Sequence, residues 1–166
     1  TINNLKEYSM SLLDDVSIVV TPNGYKAGEL YAVIPVPSEG ANIITPIANS
    51  DFSSDTGYWN LETNIDISGG LLNMSATPNN ASFYKTGIIQ IGKTYKVEIT
   101  ISGYSQGFID SNNGNTFQFP TSDGTHTIYF VGGNPALVFS ANGTTTLSVD
   151  NVSVKEYTSA DMDVTR

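Results

Sequence analysis

From residue 41 onward, apolar and polar residues alternate in short runs bounded by Gly, Asn and Asp clusters, the period-two pattern of strands with one buried face. The clearest run is Thr94-Tyr-Lys-Val-Glu-Ile-Thr-Ile-Ser102, which puts Tyr95, Val97, Ile99 and Ile101 on one face and Lys96, Glu98 and Thr100 on the other. Ile65-Asp-Ile67 and Leu71-Leu-Asn-Met-Ser75 flank Ser68-Gly-Gly70, a pair of glycines suited to a tight reversal. Further strands are predicted at residues 81–85, 87–91, 107–109, 116–119, 125–131, 136–139 and 145–154. The spacing argument gives about nine strands in all, the pattern of an all-β sandwich.

The first 40 residues read differently. Four of the seven prolines (Pro22, Pro35, Pro37 and Pro46) lie in or just beyond this segment, which reads as an extended arm. Leu5, Tyr8, Leu12 and Leu13 cover only one or two helical turns, too few to hold a helix alone. Residues 17–21 and 29–34 are β-rich and flank Pro22-Asn-Gly-Tyr-Lys-Ala-Gly28, which predicts a loose hairpin. The expected organisation is an arm at 1–40, a sandwich at 41–157 and an exit segment at 158–166.

Composition narrows the function. Only 14% of the 166 residues are charged, which suits short strands and polar turns better than long surface helices. Seven basic against sixteen acidic residues leave a net charge of −9, which repels nucleic-acid phosphates. The absence of cysteine excludes disulfides and thiolate metal sites from this chain. No apolar run approaches the roughly 18–20 residues of a membrane-spanning helix, so neither nucleic acid nor a membrane is an expected partner. No basic and apolar secretory leader opens the sequence, so the Asn-X-Ser/Thr triplets at Asn73, Asn80, Asn142 and Asn151 are expected to be products of composition.

Catalytic signals are sparse. His126 is the only histidine, and it shares parity with Ile128 and Phe130 in a strand-like run, the setting of a packed or edge histidine rather than a triad base. Glu62, Asp66, Asp110 and Asp123 supply carboxylates, but a glycosidase needs two at a set separation, which sequence does not supply. Gly69-Gly70 and Gly132-Gly133 lack the lysine and following helix of a phosphate loop and read as turns. Glycan binding needs exposed aromatic planes, drawn here from Tyr58, Trp59, Tyr84, Tyr104, Phe108 and Phe117. Tyr104 and Phe108, beside Ser105-Gln-Gly107, are the expected glycan-binding candidates, whereas Trp59 is expected in the core.

Three pieces carry a family resemblance over roughly 115 residues: Asn49-Ser-Asp-Phe with Gly57-Tyr-Trp59, Gly92-Lys-Thr-Tyr-Lys-Val-Glu-Ile-Thr-Ile101, and Leu147-Ser-Val-Asp-Asn-Val-Ser-Val154. Together they resemble carbohydrate-binding modules of the family 4/9 type, which implies a jelly roll and a binding rather than catalytic role. The resemblance also implies a structural calcium joining the first turn to the last strand. Its ligand positions here are the Asp51 backbone, Ser53 and Asp150, with Ser53 replacing the carboxylate of the family pattern. No other cofactor is expected.

The ends carry a second resemblance. Residues 10–35, ending Tyr31-Ala-Val-Ile-Pro35, are similar to a segment of tailed-bacteriophage virion proteins in which an Asp-Val-Thr-Arg motif soon follows; here that motif is Asp163-Val-Thr-Arg166. The resemblance implies a sandwich interrupting this segment, continuation of the polypeptide past Arg166, and a non-enzymatic virion component of head-fibre, capsid-decoration or tail-fibre type. The implied partners are other virion proteins and further copies of the chain, a trimer being the habit of fibre proteins. The alternative expectation is a glycan-binding module, free-standing or attached to a separate catalytic domain.

Overall fold

The computed structural model describes residues 24–26, 29–31, 37–111 and 114–159. The chain divides into two units, Pro37–Ser159 and the flanks Thr1–Val36 with Ala160–Arg166. In the flanking unit β1 (Gly24–Lys26) pairs antiparallel with β2 (Glu29–Tyr31), Lys26 opposite Glu29. Sequence reading put the whole of 22–28 in a turn. Backbone pairing draws Gly24–Lys26 into a strand instead, because a ladder satisfies N–H and C=O groups that a turn leaves to solvent. The expected helical turns near residue 8 and the strand at 17–21 lie outside the described residues.

The larger unit is all β, a sandwich of jelly-roll type. Its elements are β3 (Ser38–Asn42), a short 3₁₀ turn (Ile47–Asn49), β4 (Asn60–Leu61), β5 (Ile65–Ser68), β6 (Leu71–Thr77), β7 (Ser82–Lys85), β8 (Thr94–Ser111), β9 (Phe117–Gln118), β10 (Gly124–Val131) and β11 (Leu137–Thr158). The two longest strands, β8 and β11, pair antiparallel and belong to both layers. One layer runs β5-β6-β11-β8-β10, with β3 beside the end of β11; the other runs β4-β7-β11-β8-β9. The bend that lets each strand change layer falls at glycines with positive φ, Gly103 (62°) and Gly107 (71°) in β8 and Gly143 (72°) in β11.

Four elements depart from the sequence reading. Residues 107–109 continue β8, and residues 137–139 and 145–154 merge into β11, because the glycines bend these strands without ending them. Residues 38–40, assigned by sequence to the arm, lie in β3, where Glu39 stands opposite Tyr157. Residues 87–91 form no strand. Their flanking glycines have positive φ (77° and 85°), both Ile88 and Ile89 donate to the Pro135 carbonyl, and Ile89 is buried as a plug. The Ser68-Gly-Gly-Leu71 reversal is as read, with φ of 65° and 78° at the two glycines.

Inward-facing residues of the two layers meet in one aromatic-rich core. Phe83 and Phe139 are cross-strand partners whose rings stack at 4.6 Å, and Tyr95 and Phe130 are partners stacked at 5.6 Å. Trp59 is buried edge-on against both Phe83 and Phe139, with its indole N–H donating to the Asn49 carbonyl at 2.8 Å. It is a core residue, as its sequence context suggested.

Candidate functional site

The outer face of the β4-β7-β11-β8-β9 layer is built by the residues that alternate with its core aromatics. Phe83 and Phe139 point inward, so Ser82, Tyr84, Val138 and Ser140 point outward; Ile109 points inward, so Phe108 and Asp110 point outward. Strand pairing then sets Ser82 opposite Ser140, Ser140 opposite Asp110, and Asp110 opposite Gln118. Glu62, which follows β4, bonds Ser82 in both directions, donating from its N–H to the carbonyl and accepting the Ser82 N–H at Oε2 (2.9 Å). The result is a row of polar side chains, Glu62, Ser82, Ser140, Asp110 and Gln118, running across five strands.

The row is preorganised and flanked by rings. The Ser82 and Ser140 hydroxyls lie 2.9 Å apart, and Asn142 Nδ2 donates to Asp110 Oδ2 at 2.8 Å. Asp110 faces outward from the sheet and is only 7% exposed. Tyr84, opposite both Asn60 and Val138, lies on one side of the row, and Phe108, opposite Asn142, on the other; both rings are half-buried. A cavity of about 260 Å³ opens between Glu62, Ser82, Tyr84, Thr86, Ala136 and Val138. Carboxylates, hydroxyls and amides between two aromatic planes form a surface that can exchange hydrogen bonds with a polyhydroxylated ligand and stack against its apolar faces.

The other layer carries a second recess of about 320 Å³, lined by Asp66, Ser68, Asn73, Ser148 and neighbours, none aromatic. Its polar groups are engaged with one another: Ser68 Oγ donates to Asp66 Oδ2 at 2.6 Å, Asn73 Nδ2 to Asp66 Oδ2 at 3.2 Å, and Ser148 Oγ to Asn73 Oδ1 at 2.9 Å. Without a ring to stack on, it is the weaker candidate.

The two glycan candidates read from sequence are separated. Phe108 stands on the face just described, whereas Tyr104 packs against the core and gives its backbone N–H to Asp123 Oδ1 at 2.8 Å. The bend at Gly107 lies between them. The sequence reading named Tyr84, Glu62 and Asp110 only as members of wider sets and did not single out Ser82, Ser140, Asn142 or Gln118. The parity of Phe83 and Phe139 was the signal available for the serines. His126 is half-buried on β10, with Nε2 2.8 Å from the Ser122 carbonyl.

At the positions where calcium was expected, the Asp51 and Asp150 side chains each accept a bond from a neighbouring backbone N–H. Asp51 Oδ1 accepts the Ser53 N–H at 2.9 Å, and that bond holds its carboxyl below the usual range. Asp150 Oδ1 accepts the N–H of Asn151, where β11 bulges with φ of 53°. The join between first turn and last strand is direct: Ser50 Oγ donates to the Val152 carbonyl at 2.7 Å, and Val152 N–H to the Ser50 carbonyl at 2.9 Å. A hard cation wants six to eight oxygens with several carboxylates, and among the described residues no three acidic or His/Cys side chains cluster. Among the same residues no helix is long and apolar enough to cross a membrane.

No family model matches this chain, and no curated protein does. Among solved structures, it is similar to the N-terminal cellulose-binding domain of Cellulomonas fimi β-1,4-glucanase C, with 14% identity and a TM-score of 0.42 over 72% of this chain and 99% of that one. It is also similar to the second N-terminal cellulose-binding domain of the same enzyme, with 15% identity and a TM-score of 0.47 over 75% and 97%.

Proposed function

We propose that the sandwich is a non-catalytic module that binds a neutral polysaccharide across the Glu62–Ser82–Ser140–Asp110–Gln118 row. The observation that carries this reading is the continuity of the row: four strand steps of about 4.8 Å span ~19 Å, room for several sugar rings laid across the strands. Two of the row's side chains are acids and the chain carries −9, so a uronic-acid or sulfated glycan is disfavoured.

The test is affinity electrophoresis and calorimetry against soluble glucans, xylans and mannans, with polygalacturonate as the acidic control. Phe108→Ala and Asp110→Asn are each expected to weaken binding at least ~10-fold, about 1.4 kcal/mol, with circular dichroism unchanged. Absence of binding to every neutral polymer would overturn the reading.

A second reading, a structural component of a bacteriophage virion docked through its N-terminal arm, rests on the flanks. The division of the chain groups Thr1–Val36 with Ala160–Arg166, the two segments bearing the virion-protein resemblance, and this supports a sandwich inserted into a docking unit. The two readings are compatible, since a displayed module can also bind glycan. Deleting residues 1–36 should abolish incorporation into particles; unchanged incorporation would remove the virion role.

A further inference from the structure

We propose that β10 is a dimerisation edge, through which two copies of this chain join antiparallel about a two-fold axis at Ile128 to make one continuous sheet. Among the described residues, β10 pairs along its whole length with β8 and with no other strand. In an antiparallel ladder, alternate residues bond the partner and the others turn their N–H and C=O away. The N–H of Gly132 donates to the Lys93 carbonyl at 2.8 Å, which sets the phase. His126, Ile128 and Phe130 therefore bond β8, while Thr125, Thr127, Tyr129 and Val131 present their backbone groups to the outside.

Native edges are blunted by short length, charge, proline or a bulge. β10 has eight residues, no charged side chain, no proline and an unbroken register. The described residues include four exposed large hydrophobics, and two of them, Tyr129 (53%) and Val131 (60%), lie on this strand. A third, Ile91, sits at its end, where the N–H of Gly92 bonds the Gly132 carbonyl at 2.7 Å.

The occupant that fits is a second β10. Symmetric pairing about Ile128 sets Thr125 opposite Val131 and Thr127 opposite Tyr129, so every outward-facing residue falls in a hydrogen-bonded pair. The ends complement one another. Asp123 precedes one end of the strand, and the other end is flanked by Lys93, whose ammonium also bridges Glu156 at 2.7 Å. The two-fold brings the acidic end of each copy to the lysine-flanked end of the other. Elsewhere a net charge of −9 keeps copies apart, so a neutral edge with matched ends is where they can meet. The arrangement is self-closing and makes a dimer, not a filament.

Sedimentation velocity of the 166-residue chain over a concentration series tests this. A reversible dimer is expected. Thr127→Pro removes an N–H that points away from β8, and the Thr127→Lys/Tyr129→Lys double substitution sets lysines opposite lysines across the axis. Each should weaken dimerisation at least ~10-fold, with circular dichroism of the dilute protein unchanged. Should Thr127→Pro fail to fold, the double variant decides: it keeps the backbone of β10 and within the chain gives up the Tyr129–Tyr157 ring contact and the Thr127 bond to Glu98. A wild-type chain that stays monomeric, forms a trimer, or dimerises as strongly when the folded double variant is used would overturn the proposal.

Discussion

Gly107 combines a backbone φ of 71° with the closest approach in the bend of β8: a Cβ there would stand 2.3 Å from Thr145 Oγ1 and 2.7 Å from the Thr144 carbonyl oxygen. Gly107→Ala is expected to destabilise the protein by about 3 kcal/mol, combining left-handed strain with displacement of β11. A urea titration would show this as a lower midpoint at unchanged slope. Calcium makes a second residue-scale prediction. A ligand that binds only the folded state raises its melting temperature by mass action. Because the expected set offers one carboxylate, Asp150, beside the Asp51 backbone and the Ser53 hydroxyl, where a hard cation wants several carboxylates, melting temperatures in excess calcium and in chelator should coincide. A rise of several degrees with calcium would show a site. The alternation of Thr94–Ser102 made its four core residues legible in sequence, but nothing local signalled that Ser50 would tie itself to Val152.

Lys96 and Lys155 are cross-strand partners on β8 and β11, a pairing of like charges that destabilises a sheet unless something lies between them. Glu39 of β3 does so, accepting from Lys96 at 2.7 Å and from Lys155 at 3.0 Å, with Glu98 also on Lys96 at 3.2 Å. Lys96 and Lys155 hold the Glu39 carboxyl below its ordinary 4.5, while Glu39 and Glu98 push the Lys96 ammonium up. A lowered carboxyl pKa gives a contribution that is complete above 4.5 and lost as pH falls through the lower folded value. Glu39→Gln should therefore melt lower than the wild type at pH 7, and the gap should close on acidification; a gap independent of pH would rule out this ion-pair account. The sequence reading, which took residues 38–40 as arm, had no way to find this knot. The two lysines and Glu39 come from three strands, and β3 earns its place only by pairing with the end of β11.

At the scale of the whole molecule, the row proposed to bind glycan and the edge proposed to dimerise lie on different layers, so ligand binding and self-association should be independent. Calorimetry of the Thr127→Lys/Tyr129→Lys double variant should return wild-type glycan affinity. The row rests on contacts between distant parts of the chain: Glu62 reaches Ser82 over 20 residues, and Ser82 meets Ser140 over 58. By itself the sequence determined which side chains of Thr94–Ser102 turn inward, that the chain reverses at Ser68-Gly-Gly-Leu71 and that no thiol holds it together. Alternation and glycine placement are local consequences of sterics and burial. Only the tertiary structure decided which strands are neighbours, that β8 and β11 bend through both layers, that five scattered polar residues fall in one line and that, among the described residues, β10 is left at an edge. Period two records the face a residue occupies but not its partner, and partners are chosen by closure of the whole sheet.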